Sequence, residues 1–126
     1  MSAILIIEDC EEIRVDLAEL LSDEGYQVVT AQHGAEALTL LEAGLAPSLI
    51  LLDLMMPVMD GWHFREQQLG KPQLASIPVL LLTGASNAQR HARDLNVEGY
   101  LEKPFSFEEL LRTVGAVVAR ASVTNT

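Results

Sequence analysis

Four short apolar runs in this chain each stop at polar residues of a different chemistry. Ala3–Ile7 runs into Glu8 and Asp9, Leu49–Leu52 into Asp53, and Val79–Leu82 into Thr83. The fourth, Gly99-Tyr100-Leu101-Glu102, leads to Lys103 and Pro104. Continuous apolar runs of this length fit strands buried on both faces, the pattern of a parallel sheet. If all four lie parallel in one sheet, their polar ends emerge at the same edge. That edge then carries three carboxylates, a hydroxyl and an ammonium, a composition suited to a divalent cation and a phosphoryl group.

The segments between the runs read as helices. From about Cys10 to Glu24, Ile13, Leu17, Leu20 and Leu21 form one apolar stripe with acids opposite. Gly25 suits a left-handed residue just past the helix end. Gln27–Ala31 is β-branched but less apolar, as an edge strand would be. Gly34–Ala43 reads as a helix with Ala35, Leu38 and Leu41 inward, ended by Gly44 and Pro47. Met55–Gly61, punctuated by Pro57 and Asp60-Gly61, is a loop. Trp62–Leu69 is a helix, Gly70–Ser76 a connector, and Ile77–Leu82 a strand with Pro78 at its start. Ser86–Leu95 is a helix with small inward residues, Ala88, Ala92 and Leu95, closed by a left-handed Asn96. Glu98–Leu101 is the last strand. Ser106 followed by Glu109 is a capping-box pattern, opening a helix whose apolar face is Leu110, Leu111, Val114, Val117 and Val118. A polar tail frays from Ala121.

The alternation of strands and helices requires crossover connections, which put helices on both faces of the sheet. At 126 residues the chain is one domain, with its body at 1–121 and a polar tail at 122–126. A hydrophobic content of 49 % against 21 % charged argues for a folded globular domain. The net charge of −10, from 8 basic and 18 acidic residues, argues against direct binding to nucleic acid or an anionic membrane. The single cysteine, Cys10, excludes an intrachain disulfide and fits a reducing compartment. No signal peptide or membrane-length apolar stretch is present.

In the strand order 2-1-3-4-5 the first and third strands are neighbours, ~4.8 Å apart. Glu8, Asp9 and Asp53 then converge at the rim, where ligands bind in such sheets. At ~5 Å and an effective dielectric of ~20, each carboxylate pair repels by roughly 3 kcal/mol. Lys103 supplies one compensating charge. A hard divalent ion supplies the rest, and Mg²⁺ suits few carboxylates plus water and phosphate oxygens. An ionised aspartate can accept a phosphoryl group as a nucleophile. Lys103 would neutralise the phosphoryl oxygens and Thr83 would donate a hydrogen bond to them.

The motifs Ile4–Asp9 (ILIIED), Leu51–Gly61 (LLDLMMPVMDG), Leu80–Thr83 (LLLT) and Tyr100–Phe105 (YLEKPF) together resemble the receiver domain of two-component response regulators. The resemblance spans essentially the whole chain and implies a (βα)5 flavodoxin-like fold. It implies Asp53 as the phosphoacceptor. It also implies a Mg²⁺ (or Mn²⁺) site made by Glu8, Asp9, Asp53 and the Met55 backbone carbonyl. Thr83 and Lys103 match the residues that contact the phosphoryl group, Tyr100 the aromatic that moves inward with Thr83, and Lys103-Pro104 a cis bond. The implied donor is a sensor histidine kinase or histidine phosphotransfer protein, the implied output a protein contact of unknown identity, and the implied location cytoplasmic. The chain departs from the family pattern in its Glu-Asp pair, in Gly84 after Thr83, in a shortened interval from Thr83 to Lys103, and in Asn96-Val97 before the last strand.

Two other functions compete with this one. An aspartate-nucleophile phosphatase needs a second acid two residues after the nucleophile, where this chain has Met55. A phosphorylation-independent scaffold of the same fold is countered by the complete set of site residues. Bland readings attach to the remaining residues. His33, His63 and His91 are surface residues, Trp62 and the methionines at 55, 56 and 59 are loop packing, and Cys10 is a packed thiol.

Overall fold

The computed structural model describes residues 3–56, 58–84 and 87–124. Five strands, β1 (Ala3–Ile7), β2 (Gln27–Ala31), β3 (Leu49–Asp53), β4 (Val79–Thr83) and β5 (Gly99–Glu102), form one sheet. The order is β2-β1-β3-β4-β5 and every pairing is parallel. β3 and β4 are buried at every residue, whereas edge strand β2 is only half-buried over most of its length. The register sets Ile7 beside Leu52, Asp53 beside Leu82, and Thr83 beside Glu102. All the polar strand ends therefore reach one rim.

The helices α1 (Glu11–Asp23), α2 (Gly34–Glu42), α3 (Gly61–Leu69), α4 (Pro72–Ala75), α5 (Ala88–Leu95) and α6 (Phe107–Thr124) cover both faces of the sheet. Strand alternation makes two cores. Leu5, Ile7, Ile50, Leu52, Val79 and Leu81 meet Ala37, Leu38, Leu41, Phe64, Leu74 and Ala92 from α2–α5. Ile4, Ile6, Leu49, Leu51, Leu80 and Leu82 meet Leu17 and Leu21 of α1 and Leu110, Val114 and Val117 of α6. Each fully buried Leu or Ile contributes about 1.5–3 kcal/mol of transfer free energy, so the strands are fixed from both sides.

Local signals set the helix ends. Ser106 Oγ accepts from the Glu109 amide at 3.0 Å, and Glu109 Oε1 accepts from the Ser106 amide at 3.4 Å, completing the capping box. Gly25 has φ 98° and Asn96 φ 55°, the left-handed endings expected after α1 and α5. The Lys103-Pro104 bond is cis.

Several expectations need correction. In α2 the inward alanine is Ala37, fully buried, while Ala35 is only partly covered. The helix is apolar on most sides, so sequence alone leaves its rotation loosely set. The connector 70–76 contains the single-turn α4, opened by Pro72 in its first turn, where a missing amide costs nothing. Cys10 is exposed, not packed: it is the N-cap of α1, in extended conformation at φ −75° and ψ 114°. Beyond Ala121, α6 continues to Thr124, since no Gly or Pro interrupts the run from Ala116. β4 and β5 each begin and end slightly later than expected. The expected helix start at Ser86 and the turn residue Pro57 lie outside the described residues, as does the end of the tail at 125–126.

Candidate functional site

Glu8 follows β1 directly, and its backbone amide bonds to the Ala31 carbonyl at 3.1 Å, extending the sheet by one step. Its side chain is buried, and its two carboxylate oxygens are both engaged. Oε2 accepts from the Cys10 amide at 3.3 Å, and Oε1 accepts from Lys103 Nζ at 2.9 Å. Arg14, on the first turns of α1, donates to the Glu8 carbonyl at 2.9 Å and to the Asp9 carbonyl at 3.4 Å. It braces the acidic pair from below, a contact that no short sequence motif announces.

Asp53 ends β3 and is 4 % exposed. Its Oδ1 accepts from the Met55 amide at 3.3 Å and lies 3.6 Å from Lys103 Nζ. Carboxylate oxygens of Glu8, Asp9 and Asp53 all lie within 4.8 Å of one another. Thr83, fully buried, closes β4 one strand away, and its carbonyl accepts from the Lys103 amide at 2.8 Å. The rim thus brings together Glu8, Asp9, Asp53, Thr83 and Lys103.

The electrostatics follow from that crowding. Burial, reinforced by the charge of Glu8, pushes the Asp53 carboxyl from its ordinary 3.8 up to about 7, with Lys103 opposing. Burial by itself would lower the Lys103 ammonium. The hydrogen bond to Glu8 and the charges of Asp53 and Glu8 outweigh it and hold the group above its ordinary 10.5. One ammonium is shared between two buried acids with a third beside them, so the cluster has an excess of negative charge. Oxygen donors alone, at this spacing, suit a hard divalent cation such as Mg²⁺.

The remaining expected residues are dispersed. Tyr100 lies on edge strand β5, 37 % exposed and level with Leu81, two residues short of the Thr83 level. Met55 is exposed, whereas Met56 is buried and Met59 packs against the core. His63 is exposed beside Asp60, His33 caps α2 by accepting from the Glu36 amide, and His91 packs edge-on to Trp62 at 5.5 Å between ring centres. None of the three histidines belongs to the acidic cluster.

Sequence reading also missed a polar brace behind the site. Arg65 and Gln68 of α3 are buried. Arg65 donates to the Leu95 carbonyl at 3.0 Å, the Asn96 carbonyl at 2.6 Å and Gln68 Oε1 at 2.8 Å. Gln68 donates in turn to the Leu74 and Ile77 carbonyls at 2.9 and 3.1 Å. The brace ties the helix after Asp53 to the C-terminal end of the helix after Thr83. The carbonyls that Arg65 holds lie some thirty residues away along the chain and leave no trace in local sequence.

A five-stranded parallel sheet with an acidic cluster, a hydroxyl and a lysine at its carboxyl rim defines the class of phosphoryl-accepting α/β domains. The chain belongs to the response regulator receiver domain family, whose model matches residues 4–115. It is 37 % identical over 118 residues to the transcriptional regulatory protein PdtaR of Mycobacterium tuberculosis, covering 93 % of this chain and 57 % of that protein. It is 36 % identical over 121 residues to response regulator MprA of Mycobacterium sp. (strain KMS), covering 94 % of this chain and 51 % of that one. The chain therefore spans about half the length of the curated relatives it matches. Among solved structures, chemotaxis protein CheY4 of Vibrio cholerae superposes with a TM-score of 0.85 at 33 % identity, covering 93 % of this chain and 98 % of that one. Response regulator TrrA of Thermotoga maritima, solved in complex with Mg²⁺-BeF, superposes with a TM-score of 0.81 at 32 % identity, covering 93 % and 99 %. Receiver domains are signalling domains and not conventional enzymes, and among the described residues no helix is long and apolar enough to cross a membrane.

Proposed function

We propose that this domain is a phosphorylation-activated switch that takes a phosphoryl group onto Asp53 from a phosphohistidine donor and changes its affinity for a protein partner. The carrying observation is the gathering of three carboxylates within 4.8 Å beside Lys103, with Asp53 as the acid nearest the middle of the sheet. Glu8, Asp9, Asp53 and the Met55 carbonyl would hold Mg²⁺ or Mn²⁺. The bound cation would offset the acids and the phosphoryl oxygens, as the Mg²⁺-BeF complex of the TrrA relative suggests.

In the transfer step the Asp53 carboxylate oxygen attacks phosphorus and forms a new O–P bond. The P–N bond to the donor histidine breaks, and the imidazole, already protonated on its other ring nitrogen, keeps the electron pair and leaves as the neutral ring. Lys103 holds the phosphoryl oxygens and the Thr83 hydroxyl donates a hydrogen bond to one of them. Thr83, drawn toward phosphate, vacates space into which Tyr100 turns, and the surface presented to the partner changes with the population of that state. Self-catalysed loss of the phosphoryl group belongs to the same reading, as does a cytoplasmic location.

A sensor histidine kinase or phosphotransfer protein fits the surface beside the site. An apolar groove of about 360 Å³ opens next to Lys103, between Ile13 and Leu17 of α1 and the segment Pro104, Phe105 and Phe107. Exposed Asp16 of α1 lines it as well. A donor helix with an apolar stripe and basic flanks complements such a rim.

The test is incubation with Mg²⁺ and a small acyl phosphate, followed by intact mass. The expected result is a gain of one phosphoryl group by the wild type and none by Asp53→Asn. An equal gain in the variant, or none in the wild type with any donor, favours the scaffold reading.

A further inference from the structure

The first residue of α3 lies directly against the end of β3. A Cβ built on Gly61 would stand 2.8 Å from the Asp53 carbonyl oxygen, 2.8 Å from Leu54 Cα and 2.9 Å from Leu54 Cδ2. Two of these three atoms are backbone, so no side-chain rotation relieves the overlap. The Gly61 amide donates to the Leu54 carbonyl at 2.9 Å, which closes the loop that carries Met55. Within that loop the Met55 amide bonds to Asp53 Oδ1 at 3.3 Å.

The helix has little room to retreat. Phe64, one turn on, is fully buried in the core. Its amide bonds to the Asp60 carbonyl at 3.0 Å, and the Asp60 side chain caps the helix on the His63 amide at 2.9 Å. Behind them, Arg65 and Gln68 hold the carbonyls of Leu95, Asn96, Leu74 and Ile77. An atom added at Gly61 therefore presses on the Asp53 carbonyl and on Leu54, and the displacement passes into the less restrained stretch that starts at exposed Met55, past the end of β3.

From this geometry we infer that Gly61 is a positioning residue for the metal and phosphoryl site. Its bare Cα lets the start of α3 serve as a stop that fixes the Asp53 carboxylate and the Met55 carbonyl. The inference rests on the site reading proposed above. Misplacing a site group by about 1 Å costs on the order of a hundredfold in rate. Several tenths of an ångström, the overlap here, therefore correspond to roughly tenfold.

Gly61→Ala tests it, with Gly34→Ala as the control. A Cβ at Gly34 also meets that loop, but farther from Asp53: it meets the flexible Met59 side chain, with Cγ at 2.9 Å and Sδ at 3.0 Å, and the Met59 carbonyl oxygen at 3.1 Å. Mg²⁺ affinity is measured by calorimetry on protein that circular dichroism and thermal melting show to be folded, and acyl-phosphate incorporation is followed by intact mass. The expected result is a Mg²⁺ dissociation constant raised roughly tenfold and phosphorylation slowed by at least as much in Gly61→Ala, with less than about a threefold change in Gly34→Ala. Unchanged affinity in folded Gly61→Ala, or equal losses in both variants, overturns the inference. Should Gly61→Ala not fold, hydrogen exchange of the wild-type Gly61 amide replaces it. Slowing by about tenfold on adding Mg²⁺ supports the assignment, and no slowing overturns it. A wild type that neither binds Mg²⁺ nor gains mass sinks the site reading itself. A wild type that does both, beside an unaffected Gly61→Ala, sinks only the role of Gly61.

Discussion

Removing the charge of Asp53 should make the metal-free domain more stable. The carboxyl is raised from 3.8 to about 7 by burial and by Glu8. At 1.36 kcal/mol per pKa unit, ionising it in the fold costs about 4 kcal/mol relative to the unfolded chain. An asparagine amide copies the protonated acid imperfectly, and water admitted beside exposed Asp9 screens the cluster. The expected gain for Asp53→Asn is therefore about 1–3 kcal/mol, or roughly 4–12 °C in Tm for a domain of this size.

The sign with pH is fixed. For an acid whose folded pKa lies above its unfolded one, the penalty is absent below about pH 4. It grows as pH rises from about 4 to 7 and is constant above about 8. Thermal melts of both proteins in EDTA across that range measure the gap. Mg²⁺ should narrow or reverse it, because ligand bound only by the fold stabilises by about 1.4 kcal/mol at tenfold excess over Kd, and the wild type offers the better ligand. A variant no more stable than the wild type at pH 8 in EDTA, or a gap already complete at pH 4, would refute the electrostatic reasoning.

Val58 is 80 % exposed at φ 67°, a left-handed conformation that a β-branched residue adopts at a cost. Val58→Asn should raise stability by about 0.5–1 kcal/mol in urea denaturation, and a loss would show that the conformation is unstrained. Arg65→Met should lower it by about 2–4 kcal/mol, since the Leu95 and Asn96 carbonyls and Gln68 Oε1 lose their donor. The loss should fall only modestly at high salt, because the hydrogen-bond partners are neutral and only the attraction to exposed Glu98 is screened, and a loss that vanishes at high salt would contradict that account.

The strands and the rim were legible because a buried strand must be apolar and its end need not be. Ile4–Ile7, Leu49–Leu52 and Val79–Leu82 are fully buried, and the residues after them gather as the runs imply. The opening of α6 was legible because a capping box is local chemistry. What escaped was whatever depends on distant partners. Arg65 and Gln68 look like ordinary polar helix residues until Leu95, Asn96, Leu74 and Ile77 are brought beside them. Ala35 and Ala37 cannot be ranked in a helix apolar nearly all round. Gly61 reads as a turn residue, while its close approach to Asp53 appears only in three dimensions. The short α4 did leave a signal in Lys71-Pro72, read only as part of a connector.

Side chains along a strand point alternately up and down, and that parity divides the rim. Asp53 shares its side of the sheet with Leu49 and Leu51, over the floor of α1 and α6, whereas Thr83 shares the other side with Val79 and Leu81, under the ceiling of α2–α5. On the reading proposed above, a phosphoryl group on Asp53 would press first on the α1 and α6 layer, with Thr83 among the groups through which the α2–α5 layer would respond. On that reading Thr83→Ala should still gain a phosphoryl group by intact mass while the hydrogen-exchange response of α2–α5 to phosphorylation is smaller than in the wild type, and an undiminished response would refute it.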